Sequence, residues 1–435
     1  MRPGYMNTIM NVYSDMEPHE KRTFYLHSVY CFLEGIILGV FSLNEFVFIK
    51  STGAGNFKLS LLFQLSVFVL PFSVFFTSYL GKVQKKQRLL FLIAIVTRLP
   101  LFLLLLFPRS AAAIGDPFYQ DLFLWIFLMF YFASPFMMPV INHTLKSNYS
   151  PEKFGKLYSY SLSINQVMML VTGLMFGRLL DSFPDAYIYA YPAMGVLGII
   201  SVWMINKIQL NREPEELLPH ENVFVSMRKT LLASYQVLKT NKAFMHFQAA
   251  MMIYGVGFLM NQAVITLFFI EYLQLNYTES ALYKGLPIAI ATLSYPIFGV
   301  LIDRVDPRKF SISSFAFVTL FFILLIAAWA FPEYRTVLGY KFIYMLVAAY
   351  FIYGLFTGSM TLLWNIGSTY FAAPSEGGRY HSIHLSLTGI RGLISPALGV
   401  VIYTFAGFVG AFVSSIIMMI VAMLIMRYSI KKVKF

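Results

Sequence analysis

Long apolar runs separated by short polar ones dominate the chain. Each run is close to the ~20 residues that carry an α-helix across a hydrocarbon core. Twelve runs of this kind are read, at 24–44, 59–80, 89–107, 122–141, 157–179, 187–205, 244–270, 281–302, 310–331, 342–364, 380–403 and 405–426. A single long polar interval, 207–242, divides them six to six. Its start, from Asn211 to Glu216, reads as a solvated linker. Further on, Phe224, Met227, Leu231, Tyr235 and Leu238 recur at helical spacing, with Arg228, Lys229 and Lys239 off that stripe. A short amphipathic helix is predicted there, lying on the inner membrane surface or packed under the bundle. The organisation expected is a segment 1–23, a six-helix bundle 24–206, the linker 207–242, a second bundle 243–428 and a tail 429–435.

Composition agrees with lipid as the main solvent. The 435 residues are 58% hydrophobic and 12% charged, with a mean hydropathy of +0.68, against about 45–50% and about 25% in soluble domains. The net charge of +13 does not point to nucleic acid, because no polar domain gathers the charges. They sit in the short connections instead. With the N-terminus inside, the inner segments hold 24 Lys and Arg, among them Lys82, Lys85, Lys86, Arg88, Arg304, Arg308 and Lys309. The outer segments hold Lys50, Lys58, Arg109, Lys284, Arg335 and Lys341, with Arg178 at a helix end. By the positive-inside rule both termini are cytoplasmic. One cysteine, Cys31, excludes an internal disulfide framework. No cleavable leader is read in the first 23 residues, which lack an apolar stretch of their own. No phosphate-cradling Gly-x-x-x-x-Gly-Lys loop, metal-ligand spacing or nucleophile–base pair is apparent. The expectation is therefore a non-enzyme with no cofactor and no bound metal.

The two halves share a pattern. Pro151, Gly155, Lys156, Ser159, Leu162 and Ser163 pair without a gap with Pro374, Gly378, Arg379, Ser382, Leu385 and Ser386. Parallel six-helix repeats place a solute site near the membrane midplane, between halves that rock against each other. The connection after the eighth run reads Gly299-Val-Leu-Ile-Asp303-Arg304-Val-Asp-Pro-Arg308-Lys309. It resembles the Gly-x-x-x-Asp-Arg-x-x-x-Arg-Lys loop of the major facilitator superfamily, and it stands where that family's second copy belongs. In the first half Lys82 replaces the aspartate. The resemblance implies an all-α membrane fold of twelve helices in two pseudo-symmetric bundles. It also implies a conformational latch at Gly299, Asp303, Arg304 and Arg308, with Gly299 allowing close helix approach.

Ionisable groups at membrane depth are costly and mark functional candidates. Three lie about ten residues from the inner ends of their runs: Glu34, Arg98 and Arg391. Glu34 is the candidate for proton coupling, against a static role as counter-ion to a buried arginine. Arg391 belongs to a polar stripe, His381, His384, Thr388, Arg391 and Ser395, answered in the fifth run by Tyr158, Ser161, Asn165, Met168 and Thr172. Arg391 is assigned to an anion or substrate, the histidines to helix–helix hydrogen bonding, and Arg98 to a structural pair within the first half. The resemblance puts the first, seventh and tenth helices along a central cavity and lets Glu34 meet Arg391 there. Thr388, Asn165, Tyr254, Asn261, Gln262, Trp364 and Asn365 complete the expected substrate-binding set, since rings and amides suit a polar organic solute.

The function expected is secondary active transport by alternating access, proton-coupled, of a small organic and possibly anionic solute. Two alternatives stand beside it: an exporter of amphipathic, drug-like compounds, and a receptor or scaffold that binds solute or lipid without turnover. The partners expected are the solute, protons and the bilayer, with no nucleic acid. The protein is expected to act as a monomer in a bacterial cytoplasmic membrane.

Overall fold

The computed structural model describes residues 16–69, 86–109, 115–208, 235–372 and 377–433. Most of the predicted amphipathic helix lies outside them; Tyr235 and Leu238 fall in a helical turn at 235–240. The first half contains α1 (Pro18–Phe41), α2 (Asn44–Lys50), α3 (Asn56–Phe68), α4 (Lys86–Arg98), α5 (Pro117–Tyr131), α6 (Ser134–Asn148), α7 (Pro151–Ser182) and α8 (Tyr187–Ile205). The second half contains α9 (Lys242–Leu259), α10 (Asn261–Leu267), α11 (Tyr277–Arg304), α12 (Pro307–Ala330), α13 (Tyr344–Ile366) and α14 (Gly377–Lys432).

Local chemistry explains the boundaries. Asp116 opens α5 by accepting from the Phe118 N–H at 2.9 Å, followed by Pro117 at the first helical position. Asn276 opens α11 through a reciprocal box: it accepts from Glu279 N–H at 2.7 Å, and Glu279 accepts from Asn276 N–H at 2.9 Å. At the inner end, Glu20 accepts from the N–H and hydroxyl of Ser150 at 2.9 and 2.7 Å, tying α1 to the start of α7. The α14 stretch is two helices joined at Gly407, whose φ of 65° turns the chain from the eleventh predicted run into the twelfth, a conformation that a side chain would strain.

Nine helices among the described residues are long and apolar enough to cross a membrane. One of them, Ile383–Lys432, contains both of the last two predicted runs. Helix α11 is not among the nine, yet its 28 residues reach about 42 Å at helical rise. Only the first part of the second predicted run falls in the described residues, as α3. One element was not foreseen. Tyr334–Val337 and Tyr340–Ile343 form an antiparallel hairpin between α12 and α13, turning through Leu338 and Gly339 at φ 53° and 83°, the geometry of a tight two-residue turn.

Many of the phenylalanines and tyrosines are packing residues. Phe41 meets Phe127, Phe130 and Tyr191 edge-on at 5.3, 4.9 and 5.2 Å in the first half. Tyr254 stacks on Phe315 at 5.0 Å, and Phe321 on Tyr353 at 4.7 Å, in the second. Within the halves, α1 packs along α7 and α9 along α14. Between the halves, α7 meets α11, and α3 meets α14 and α10. Hydrogen bonds cross this seam at the end that loop charge places outside.

Candidate functional site

The centre of the second half is built on the crossing of α9 and α14. Arg391 is 5% exposed. Its Nη1 donates to the Met251 carbonyl, and its guanidinium lies 5.6 Å from the centroid of the Tyr254 ring. Nε has no partner, and no carboxylate lies within ion-pair distance of Arg391 among the described residues. The guanidinium occupies space that only a glycine leaves open: a Cβ on Gly255 would stand 2.2 Å from Cζ. Two helical turns along α14, His384 Nδ1 and Gln248 Oε1 are 3.0 Å apart, and Trp364 of α13 stands edge-on to His384 at 6.2 Å. Arg391 with Tyr254, and His384 with Gln248 and Trp364, thus form two successive polar–aromatic groups along the α9–α14 crossing, the second completed by α13. The His381 side chain lies outside the described residues.

The first half repeats this crossing with apolar chemistry. Ser28, Cys31 and Gly35 of α1 correspond at a constant offset to Gln248, Met251 and Gly255 of α9. The contacts follow the correspondence. Ser28 and Ser161 hydroxyls lie 3.2 Å apart, where the other half pairs Gln248 with His384. The equivalent carbonyls of Cys31 and Met251 accept from Asn165 at 3.0 Å and from Arg391, although the repeat partner of Asn165 is Thr388. A Cβ on Gly35 would stand 2.8 Å from Met168 Cβ, and Met168 is the repeat partner of Arg391. At Gly35 the facing helix is met at the Asn165 backbone and the Met168 Cβ, whereas at Gly255 the end of the Arg391 side chain fills the gap.

The remaining expected residues divide. Gln262 lies close to the Tyr353 hydroxyl, where the α9–α10 span faces α13. Asn261 is fully buried and donates to Ser415 and, at 3.4 Å, to the Ala411 carbonyl. It holds the last part of α14, as interhelical glue does. Thr388 and Asn365 donate back to their own helices, to His384 and Thr361 carbonyls at 2.9 and 2.8 Å.

Glu34 and Arg391 do not meet. The Ser201 hydroxyl of α8 donates to Glu34 at 2.5 Å, so the carboxylate is turned toward α8, while Arg391 is taken up by α9. Helix rotation, set by the glycine contacts of α1 on α7, decides this. Arg98 is 3% exposed within the first half, where it donates to Thr97 at 3.0 Å and lies 5.4 Å from the Phe130 ring centroid. No ion pair joins it to Glu34 among the described residues, although Tyr30 lies within electrostatic range of both.

Of the four expected latch residues, the side chains of Arg304 and Arg308 and the surroundings of Gly299 fall in the described residues. A Cβ on Gly299 would meet nothing within 4 Å among the described residues. Arg304 is exposed, and the Asp303 side chain lies outside the described residues. Arg308 is 2% exposed. It pairs with Asp306 at 2.8 Å and donates to the Ser429 and Val433 carbonyls at 3.1 and 2.9 Å. These bonds close the end of α14 within the second half.

Two helical bundles with a seam between them and isolated charged groups inside the apolar layer are the architecture of a multi-pass solute transporter. The chain belongs to the Major Facilitator Superfamily, whose sequence profile matches residues 25–333. No curated protein sequence matches it. Similar solved structures include a point mutant of the nucleoside transporter NupG, with a TM-score of 0.69 and 12% identity over 95% of this chain and 100% of that one. A bacterial homologue of the human lysosomal transporter Spinster, inward-facing and unoccupied, gives 0.65 and 12% over 96% and 98%. A peptide transporter POT in complex with sulfate gives 0.68 and 11% over 94% and 94%.

Proposed function

We propose that the chain is a proton-coupled secondary transporter, working by alternating access, for a small organic solute that carries an anionic group. Arg391 is the residue that engages the anion, with Tyr254 beside it and Gln248, His384 and Trp364 further along the same helix crossing. One observation carries this reading: the Arg391 guanidinium is buried between Gly255 and the Met251 carbonyl with no carboxylate in ion-pair distance among the described residues, and its repeat partner in the other half is the uncharged Met168. A buried guanidinium without a carboxylate partner is expensive in lipid and is compensated when a substrate carboxylate or phosphate pairs with it. Glu34, hydrogen-bonded by Ser201 and with no cation in ion-pair distance among the described residues, is the proposed proton-exchanging group.

The test uses the full-length protein and a library of anionic metabolites screened by thermal shift. Arg391→Met copies the first-half residue and is expected to keep the fold while losing stabilisation by every anionic hit. Arg391→Lys is expected to bind about tenfold or more weakly, because the bidentate fork is lost. Wild-type shifts in Arg391→Met would overturn the anion assignment. For coupling, Glu34→Gln is expected to keep solute exchange and lose accumulation driven by a proton gradient. A variant that still accumulates solute removes Glu34 from that role.

A further inference from the structure

The seam between the halves is sealed by charged groups at one end, and none of them belongs to the site above. Lys284 of α11 reaches across to α2, where it pairs with Glu45 and donates to the Ser42 carbonyl at 2.6 Å. It also lies 5.4 Å from the Phe46 ring centroid. The Glu45 side chain is 9% exposed and that of Lys284 32%. Asp181, at the end of α7, accepts from the Tyr277 N–H at 2.7 Å, the Thr278 N–H at 2.9 Å and the Thr278 hydroxyl at 2.6 Å. An aspartate of one half thus caps the first turn of a helix of the other, where free N–H groups and the helix dipole favour a negative charge. Lys50 donates to the Leu275 carbonyl and lies 4.8 Å from the Tyr277 ring centroid, and the Ser51 hydroxyl is 2.8 Å from that of Tyr277.

We propose that these contacts are the outer gate of the transporter, and that Glu45, Lys284 and Asp181 set how readily it opens outward. The inference rests on the alternating-access reading. Both devices join surfaces that must part when the halves rock. Opening breaks a largely buried ion pair and uncaps α11, so the three side chains stabilise the outward-closed state selectively. A side chain that contributes only to one state shifts the population by the whole of its contribution. Lys58 and Asp121 supply the internal control. They pair at 2.5 Å at the same end of the molecule, but both belong to the first half, so rocking leaves their bond intact.

The experiment places a reporter cysteine at Ala281, which is buried one turn before Lys284 and Gly285 on the same face of α11. Cys31 is replaced by serine, and the full chain is reconstituted in vesicles with its outer face exposed to a membrane-impermeant maleimide. Glu45→Gln and Lys284→Met are each expected to raise the labelling rate roughly tenfold or more, and Asp181→Asn severalfold. The exchange Glu45→Lys with Lys284→Glu is expected to return it toward the starting rate, and Asp121→Asn to leave it unchanged. Measurable labelling that is equal in the parent and in Glu45→Gln, Lys284→Met and Asp181→Asn would overturn the gate. Equal acceleration by Asp121→Asn would do so as well, by making the effect one of surface charge alone. If a single variant does not fold, Asp181→Asn and the charge exchange carry the same test. No labelling in any variant would instead mean that the protein never opens outward, which defeats the transporter reading itself.

Discussion

Replacing Gly255 with alanine puts a methyl group where the Arg391 guanidinium lies. The new Cβ would stand 2.2 Å from Cζ, 2.2 Å from Nη1 and 2.3 Å from Nε. An unstrained contact needs about 3.5–4.0 Å, so the guanidinium must withdraw by roughly 1.5 Å. That is too far to keep its bond to the Met251 carbonyl. Losing a hydrogen bond from a charged donor costs about 1.5–3 kcal/mol, and weakening the contact with Tyr254 about 0.5–1 kcal/mol. The net cost expected is about 3 kcal/mol, within the range for overpacked cores. The assay is a double-mutant cycle of unfolding free energies for the full chain in detergent, with Gly255→Ala, Arg391→Ala and the pair. All three atoms nearest the new methyl belong to Arg391, so removing that side chain should abolish most of the penalty. A coupling energy of about 2 kcal/mol is expected. Strict additivity, or a Gly255→Ala protein as stable as the parent, would refute the placement of Arg391 against Gly255.

Arg308→Ala should free the end of α14, costing about 3 kcal/mol for the lost buried bonds to Asp306, Ser429 and Val433. Limited proteolysis should then cut near the C-terminus severalfold faster, and an unchanged digestion pattern would contradict that anchoring. Reporter fusions after Ile208 and Lys432 should score cytoplasmic and one at Asn276 external; a cytoplasmic signal at Asn276 would break the orientation.

Much of this protein was legible without coordinates. A bilayer requires each span to satisfy its own backbone hydrogen bonds, so length and apolarity alone delimit the spans, and the charges between them give an orientation. The repeat of the fifth run in the eleventh was visible because both carry polar residues at the same turns. That Glu34, Arg98 and Arg391 deserved notice followed from the cost of a charge in lipid. Their partners did not follow. Helical spacing says which residues share a face, but the neighbour toward which that face turns depends on packing, here on Gly35 against α7 and Gly255 against α14. For that reason Glu34 meets Ser201 instead of Arg391, and Arg308 closes a helix end within its own half. The outer seam was the least legible part. Glu45, Asp181 and Lys284 read in sequence as ordinary polar residues at the ends of spans. Only the approach of α11 to α7 and to α2, between positions separated by 96 and 239 residues, turns them into contacts between halves, because a charge at a helix end is solvated or paired according to what the tertiary structure brings against it.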